Sequence, residues 1–176
     1  MSSHLVISAI GDDQRGIVEK LASAIHENGC NIENSRMTVL GGAFAQILMV
    51  SGKWNNLAKL ESALGGLAKQ MDLLVSTRRT EPRKATASYL PYSVEVVALD
   101  HPGIVSQLAH FFSVRGINIQ DMVTGAYHAA HTATPMFSTS LSIEVPSDVH
   151  IASLREEFLD LCDANNLDGV IEPLKL

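Results

Sequence analysis

A twenty-residue window near the start of this chain, 13–32, recurs in register eighty-seven positions later. Asp13, Gly16, Ile17, Val18, Leu21, Ala22, Gly29, Asn31 and Ile32 return as Asp100, Gly103, Ile104, Val105, Leu108, Ala109, Gly116, Asn118 and Ile119. Nine identities without a gap far exceed the roughly one in twenty that average residue usage yields by chance. The chain is two copies of one unit, and each copy must solve the same folding problem with about 85 residues.

The local patterns agree between copies. His4–Ile10 is rich in Val and Ile and ends at Gly11-Asp12-Asp13, which predicts a strand and a turn. Asp13 is placed to cap the following helix. Its apolar positions, Ile17, Val18, Leu21, Ala22 and Ile25, fall on one helical face, and Gly29 is expected to end it. Strands over Asn31–Leu40 and Ala43–Ser51 flank Gly41-Gly42, a dipeptide suited to a primed hairpin turn. A helix from Trp54 should stop at Gly65-Gly66, and Met71–Thr77 supplies a last strand. The second copy repeats this order: a strand over Tyr92–Leu99, a helix over Ile104–Val114, strands near Asn118–Tyr127 and Met136–Val145, a helix over Asp148–Asn165, and a strand near Gly169–Leu174. The expected fold is α+β, with two ferredoxin-like βαββαβ modules built on antiparallel sheets. Module 1 spans 1–79, a linker 80–90, and module 2 spans 91–176. The stretch from Gly125 to Pro135 makes the second hairpin connection about six residues longer than the first, a candidate lid or partner contact.

Charge divides unevenly. Residues 1–87 carry ten Lys/Arg and eight Asp/Glu, and residues 88–176 carry three and eleven, so +2 and −8 make up the net −6. The acidic stretch Glu156, Glu157, Asp160, Asp163 and Asp168 reads as a solvated helix face or as a docking surface for a basic partner. The one basic run, Arg78, Arg79, Arg83 and Lys84, reads as linker solvation. Neither half has the basic balance of a DNA-binding domain, and few aromatics argue against stacking on single strands. No apolar run approaches a membrane span and no signal segment opens the chain, so a cytoplasmic protein is expected. Cys30 and Cys162 read as small core residues.

The repeated residues concentrate where chemistry is available. Asp13-Gln14-Arg15-Gly16 and Asp100-His101-Pro102-Gly103 lead into helix N-termini. Unpaired amides and the positive helix pole there favour an anion such as a carboxylate. Gly16 and Gly103 allow close backbone approach, Pro102 presets φ for the first turn, and Asp13 and Asp100 can cap or accept from an ammonium group. Asn31 and Asn118 open the strands at the other end of each helix. His128 and His131 read as a polar loop pair, not a metal site, and no nucleophile elbow or phosphate loop occurs. No cofactor, metal or catalytic residue is assigned, and the chain reads as a non-enzyme.

The run Asp100-His101-Pro102-Gly103-Ile104-Val105, with Gly116-Ile117-Asn118-Ile119, resembles the ACT-domain signature D-x-P-G-[IL]-[VL] followed by G-x-N-I. The first copy follows it except for Arg15 at the proline position. Leu5–Ile10, Gly16–Val18, Gly29–Arg36 and Phe44–Gly52 further resemble bacterial regulators made of two ACT modules and little else. The resemblance implies a regulator of the glycine cleavage system that responds to a small amino acid, glycine foremost. It would act by contacting a LysR-type transcriptional activator, as a homodimer, with no direct nucleic acid or membrane contact. Its alternative is a regulatory or scaffold subunit of an amino-acid metabolic enzyme. Candidate ligand-binding residues are Asp12, Asp13, Arg15, Gly16, Ile17, Asn31 and Ile32, and Asp100, His101, Pro102, Gly103, Ile104, Asn118 and Ile119.

Overall fold

A computed structural model describes residues 3–82 and 88–174. The chain divides into two compact units of α+β architecture. The first contains β1 (Ser3–Asp12), α1 (Ile17–Glu27), β2 (Asn31–Leu40), β3 (Ala43–Gly52), α2 (Trp54–Met71) and β4 (Leu73–Thr80). The second contains β5 (Tyr89–Leu99), α3 (Ile104–Ser113), β6 (Asn118–His128), β7 (Pro135–Pro146), α4 (Ile151–Asn165) and β8 (Leu167–Pro173). Each forms a four-stranded antiparallel sheet, ordered β2-β3-β1-β4 and β6-β7-β5-β8.

Alternation along the strands decides which side is covered. Leu5, Ile7 and Ala9 on β1 stand opposite Val50, Leu48 and Gln46 on β3, and all six are buried on one side. Ile17, Leu21 and Ile25 from α1 and Leu57, Leu60 and Leu64 from α2 close that side. The second unit repeats this with Val94, Val96 and Ala98 under Ile104, Leu108, Phe112, Leu154 and Phe158. The buried helical stripe is narrower than the repeat pattern predicts, since Val18 is 44% exposed and Val105 39%. β2 is exposed along its whole length as the edge strand beyond the helices.

Several elements depart from the sequence expectation. α2 does not stop at Gly65-Gly66 but runs to Met71 and ends at Asp72, whose φ is 51°. Two glycines cost the helix about 1 kcal/mol each. The apolar series Leu57, Leu60, Leu64, Leu67 and Met71 keeps its face on the core through them. α4 begins at Ile151, later than Asp148, because the His150 ring accepts from the Ser153 amide and caps the helix. Strand β4 reaches Thr80 and β5 starts at Tyr89, so both ends of the expected linker are sheet. Arg78 and Arg79 lie in β4, where Arg79 pairs with Glu61 at 2.6 Å and sits over Trp54. Arg83 and Lys84 lie outside the described residues.

The long second connection is mostly strand. β6 and β7 pair out to His128 and Pro135, leaving residues 129–134 as a tip closed by Ala129 N–H on Thr134 O at 3.0 Å. Of the acidic stretch, Glu157 pairs with Arg115 at 2.6 Å, and Asp168 belongs to β8, not to the helix. Cys30 and Cys162 are free and buried.

Candidate functional site

In both units a strand ends, crosses a short turn and enters a helix through a left-handed glycine. Gly16 has φ 89° and Gly103 φ 102°, a region open to glycine and strained for other residues. The turns are anchored from outside. The Asp13 amide donates to Gly42 O at 2.8 Å, and the Asp100 amide donates to Pro135 O at 3.0 Å. Each anchor is thus the facing hairpin of the same unit. The Gln14 side-chain amide also donates to Met71 O at 2.8 Å, tying the first turn to the end of α2.

Beyond these anchors the helix starts are open. The Lys20 amide is the first bonded to the Gly16 carbonyl, at 2.9 Å, and the Gln107 amide bonds Gly103 O at 3.0 Å. No side chain caps either helix. The amides of Ile17, Val18 and Glu19, and of Ile104, Val105 and Ser106, therefore have no carbonyl within their helix to bond, and of these residues Val18, Glu19, Val105 and Ser106 are exposed while Ile17 and Ile104 are buried. The capping expected of Asp13 and Asp100 is not realised, because three residues separate each from the helix and their backbones turn toward the hairpins. Pro102 likewise precedes the cap position and lies outside the first helical turn.

Space beside the two turns is generous. A Cβ at Gly16 or Gly103 would meet nothing within 4 Å. The two glycines are demanded by backbone angle and not by crowding. In the second unit a hollow of about 450 Å³ lies against the helix start, lined by Asp100, His101, Gly103, Ile104, Ser106 and Phe137 among others. His101 turns its Nδ1 to the Pro102 carbonyl at 3.1 Å.

Asn31, Ile32, Asn118 and Ile119 are placed elsewhere. They begin β2 and β6, at the far ends of α1 and α3. An eleven-residue helix separates the two groups by ~16 Å. Within a unit the structure brings Asp12, Asp13, Arg15, Gly16 and Ile17 together, and likewise Asp100 to Ile104, but not the Asn-Ile pairs with them. A second hollow of about 590 Å³ in the first unit lies at that other end, beside His26, Gly29, Cys30, Asn31, Ser51 and Lys53. Its rim is polar and organised: Ser51 and Asn31 both donate to the Glu33 carboxylate. Those two bonds, the hydroxyl foremost, hold Glu33 below the usual carboxylate range, with a smaller contribution from His4.

Sequence reasoning missed the buried polar pair. Gln46 and Thr139 occupy equivalent sites, opposite Ala9 and Val96, and both are buried. The Thr139 hydroxyl donates to Val123 O at 3.1 Å, whereas Gln46 Oε1 has no partner. A polar residue on the core phase of an apolar strand was the available signal. Among the described residues no group of three or more His, Cys, Asp and Glu is placed to hold a metal. No helix there is long and apolar enough to cross a membrane.

Known proteins share this architecture. The ACT domain family matches residues 3–78. The glycine cleavage system transcriptional repressor of Escherichia coli (strain K12) is 30% identical over 168 residues, covering 96% of this chain and 88% of the relative. A protein of the same description from Shigella flexneri matches to the same extent. A crystal structure provisionally described as a glycine cleavage system transcriptional repressor aligns with TM-score 0.75 and 29% identity, covering 100% of this chain and 99% of its own. A protein of unknown function from Galdieria sulphuraria aligns with TM-score 0.81 and 26% identity, over 99% and 100% of the two chains.

Proposed function

This chain belongs to the ACT-domain family, and from that premise we propose that it is an amino-acid-responsive transcriptional regulator of the glycine cleavage system. In this reading it is a non-enzyme that pairs with itself and acts by contact with a LysR-type DNA-binding activator. The observation that carries the reading is the likeness to the transcriptional repressor across 96% of the chain, both modules included.

The geometry supports a small zwitterion as the signal. Helix-start amides at the exposed Val18, Glu19, Val105 and Ser106 suit a carboxylate, and Asp12, Asp13 and Asp100 stand exposed nearby to receive an ammonium group. We assign the ligand to the turn groups. Asn31, Ile32, Asn118 and Ile119 lie too far along their own modules for the same small molecule to touch both. Glycine, with five heavy atoms at a ceiling of about −1.5 kcal/mol each, is limited to roughly −7.5 kcal/mol, micromolar at best. Such an affinity fits an abundant metabolite. Occupancy would act by favouring one packing of the protein over another, and so change affinity for the activator.

Calorimetry on the full chain with glycine, serine and alanine tests the first half of the reading. Saturable heat with glycine between micromolar and millimolar is expected, and silence from every small amino acid at millimolar concentration overturns sensing. Affinity capture tests the second half. Retention of a LysR-type activator supports it, and retention of a metabolic enzyme instead favours a scaffold role. A salt-dependent gel shift by the isolated protein would contradict action through a partner.

A further inference from the structure

The sides of the two sheets that carry no helix differ in electrostatic character. Register fixes which residues share those sides. Val6, Ser8 and Ile10 on β1 alternate with the buried Leu5, Ile7 and Ala9, and so project from the bare side with their cross-strand neighbours. Through these pairings the bare side of the first sheet presents Ile10 beside Leu74 and Ile47 beside Arg36, with Arg78 beside Val6. Ile47 is 50% exposed and Leu74 79%. Neither Arg36 nor Arg78 has an ion-pair partner among the described residues. This side also carries two acids, Asp12 at the end of β1 and Glu33 at the start of β2, where Ser51 and Asn31 hold the Glu33 carboxylate in its charged form.

On the second sheet one of these positions reverses sign and three neutral ones become acidic. Arg78 stands opposite Val6, and Glu172 stands opposite Ser93, the residue eighty-seven positions after Val6. By the same correspondence Leu74 becomes Asp168, Ser8 becomes Glu95 and Asn34 becomes Asp121. Val97, Val123 and Val170 keep apolar surface between these carboxylates. Among the described residues of this unit the only Lys or Arg are Arg115 and Arg155. Arg115 lies over Phe111 and pairs with Glu157, and Arg155 reaches from α4 to the Ile171 carbonyl.

We propose that the bare side of the first sheet in one copy docks on the bare side of the second sheet in another copy, with two such contacts closing a two-fold dimer. This takes from the proposed function only that the chain pairs with itself. Pairing second sheet with second sheet would set carboxylates against carboxylates and leave the arginines of the first sheet without them. Pairing unlike sides joins the two signs and covers the exposed Ile47 and Leu74. In a two-fold arrangement both contacts form together and no sticky side is left over, so assembly ends at two copies. The size is adequate. Four strands ~4.8 Å apart and about seven residues long present roughly 400 Å² per side, so two contacts bury on the order of 1,700 Å², the range of a specific interface.

The experiment is sedimentation of the full chain and two charge-reversed variants, each checked for native circular dichroism. One variant carries R36E and R78E in the first sheet, the other E95R and E172R in the second. The wild type is expected to be a dimer that weakens with added salt. Each variant alone should dissociate at least ~10-fold more readily, because both of its contacts then set like charges together. An equimolar mixture should restore dimers to within ~3-fold of wild type, since each variant then meets its complement. A monomeric wild type overturns the self-pairing reading together with this surface. A dimeric wild type whose variants dimerise normally overturns this surface alone. So does a mixture that fails to recover, and so does dissociation of one variant only, the result expected of like-on-like pairing.

Discussion

The two modules keep the same backbone constraints and diverge in how they fill volume and carry charge. Both enter the first helix through a left-handed glycine, at Gly16 and Gly103, and bury the next residue, Ile17 or Ile104. One helical turn on, Leu21 and Leu108 are both buried. Beyond that point the cores part. Ala24 and Ile25 of the first module correspond to Phe111 and Phe112 of the second. There Phe111, Phe112 and Phe158 form a cluster with ring centroids 5.2 to 5.9 Å apart. Duplication retained what the chain path requires and left volume free to be redistributed, provided each core stayed close-packed.

The largest effect should follow from breaking that redistribution. Phe112→Ala empties a fully buried site within the aromatic cluster and should cost the second module about 3–5 kcal/mol, whereas Ile25→Val in the first should cost about 1 kcal/mol. Trp54, the single tryptophan, belongs to the first module and reports on it alone. In a denaturant titration of Phe112→Ala, far-ultraviolet dichroism should show an early transition while Trp54 fluorescence keeps its wild-type midpoint. A Trp54 midpoint that moves in step would mean the modules unfold as one unit.

The entry glycines provide the next comparison. Gly16→Ala and Gly103→Ala each place a Cβ in a left-handed conformation with open space around it, so each should cost about 1–2 kcal/mol by strain alone. Their effects on ligand should differ. The second turn keeps Pro102 where the first has Arg15, and a hollow lies against its helix start, so Gly103→Ala should remove more of the glycine heat than Gly16→Ala. Equal losses would show that both turns bind alike, and Arg15 in place of a proline would then be without consequence for occupancy.

These contrasts also show where sequence reasoning succeeds. The βαββαβ order was legible because its punctuation is local: Gly41-Gly42 satisfies a primed turn, with φ of 58° and 85°, and Gly29 follows the end of α1 at φ 65°. α2 was misread where local and global preferences conflict, since a glycine pair that weakens a helix was outweighed by Leu64, Leu67 and Met71 on the core face. The duplicated turn was visible as a candidate site. The ~16 Å between it and Asn31 was not read as a barrier, although the length of α1 implies it. The different charges of the two bare sheet sides were illegible for another reason. A residue's side depends on cross-strand register, and both sheets have a register shift near the start of their edge strands, between Ile32 and Asn34 and between Ile119 and Asp121.

Equivalent residues can also be opposite in effect. Gln46 buries a carbonyl oxygen without a partner, so Gln46→Met removes an unmet desolvation cost and should raise stability of the first module by about 1 kcal/mol. Thr139→Val removes a hydroxyl that donates to Val123 O, leaves that carbonyl short of a donor, and should lower stability of the second by about 1 kcal/mol. Thermal or chemical denaturation of the two variants checks the signs. Two shifts in the same direction would mean that Gln46 is satisfied in solution, by water.

The smallest contrast lies in the two buried thiols, and pH separates them. Burial raises both, but at Cys30 the nearby Arg79 charge opposes the rise, while at Cys162 Asp163 and Asp168 add to it and push the thiol up to about 11. A raised folded-state pKa means that the native state holds its proton while the unfolded chain releases it. The resulting stabilisation is present below the unfolded value of 9.0 and is lost as pH climbs toward 11. The second module should therefore weaken more steeply than the first between pH 9 and 11, and Cys162→Ala should flatten its slope while Cys30→Ala changes the first module less. Alkylation by iodoacetamide at pH 9.5 should follow the same order, faster at Cys30 than at Cys162, because the less perturbed thiol supplies more thiolate. Reversed rates would show that the acidic neighbours of Cys162 do not govern its proton, and that access through local opening does.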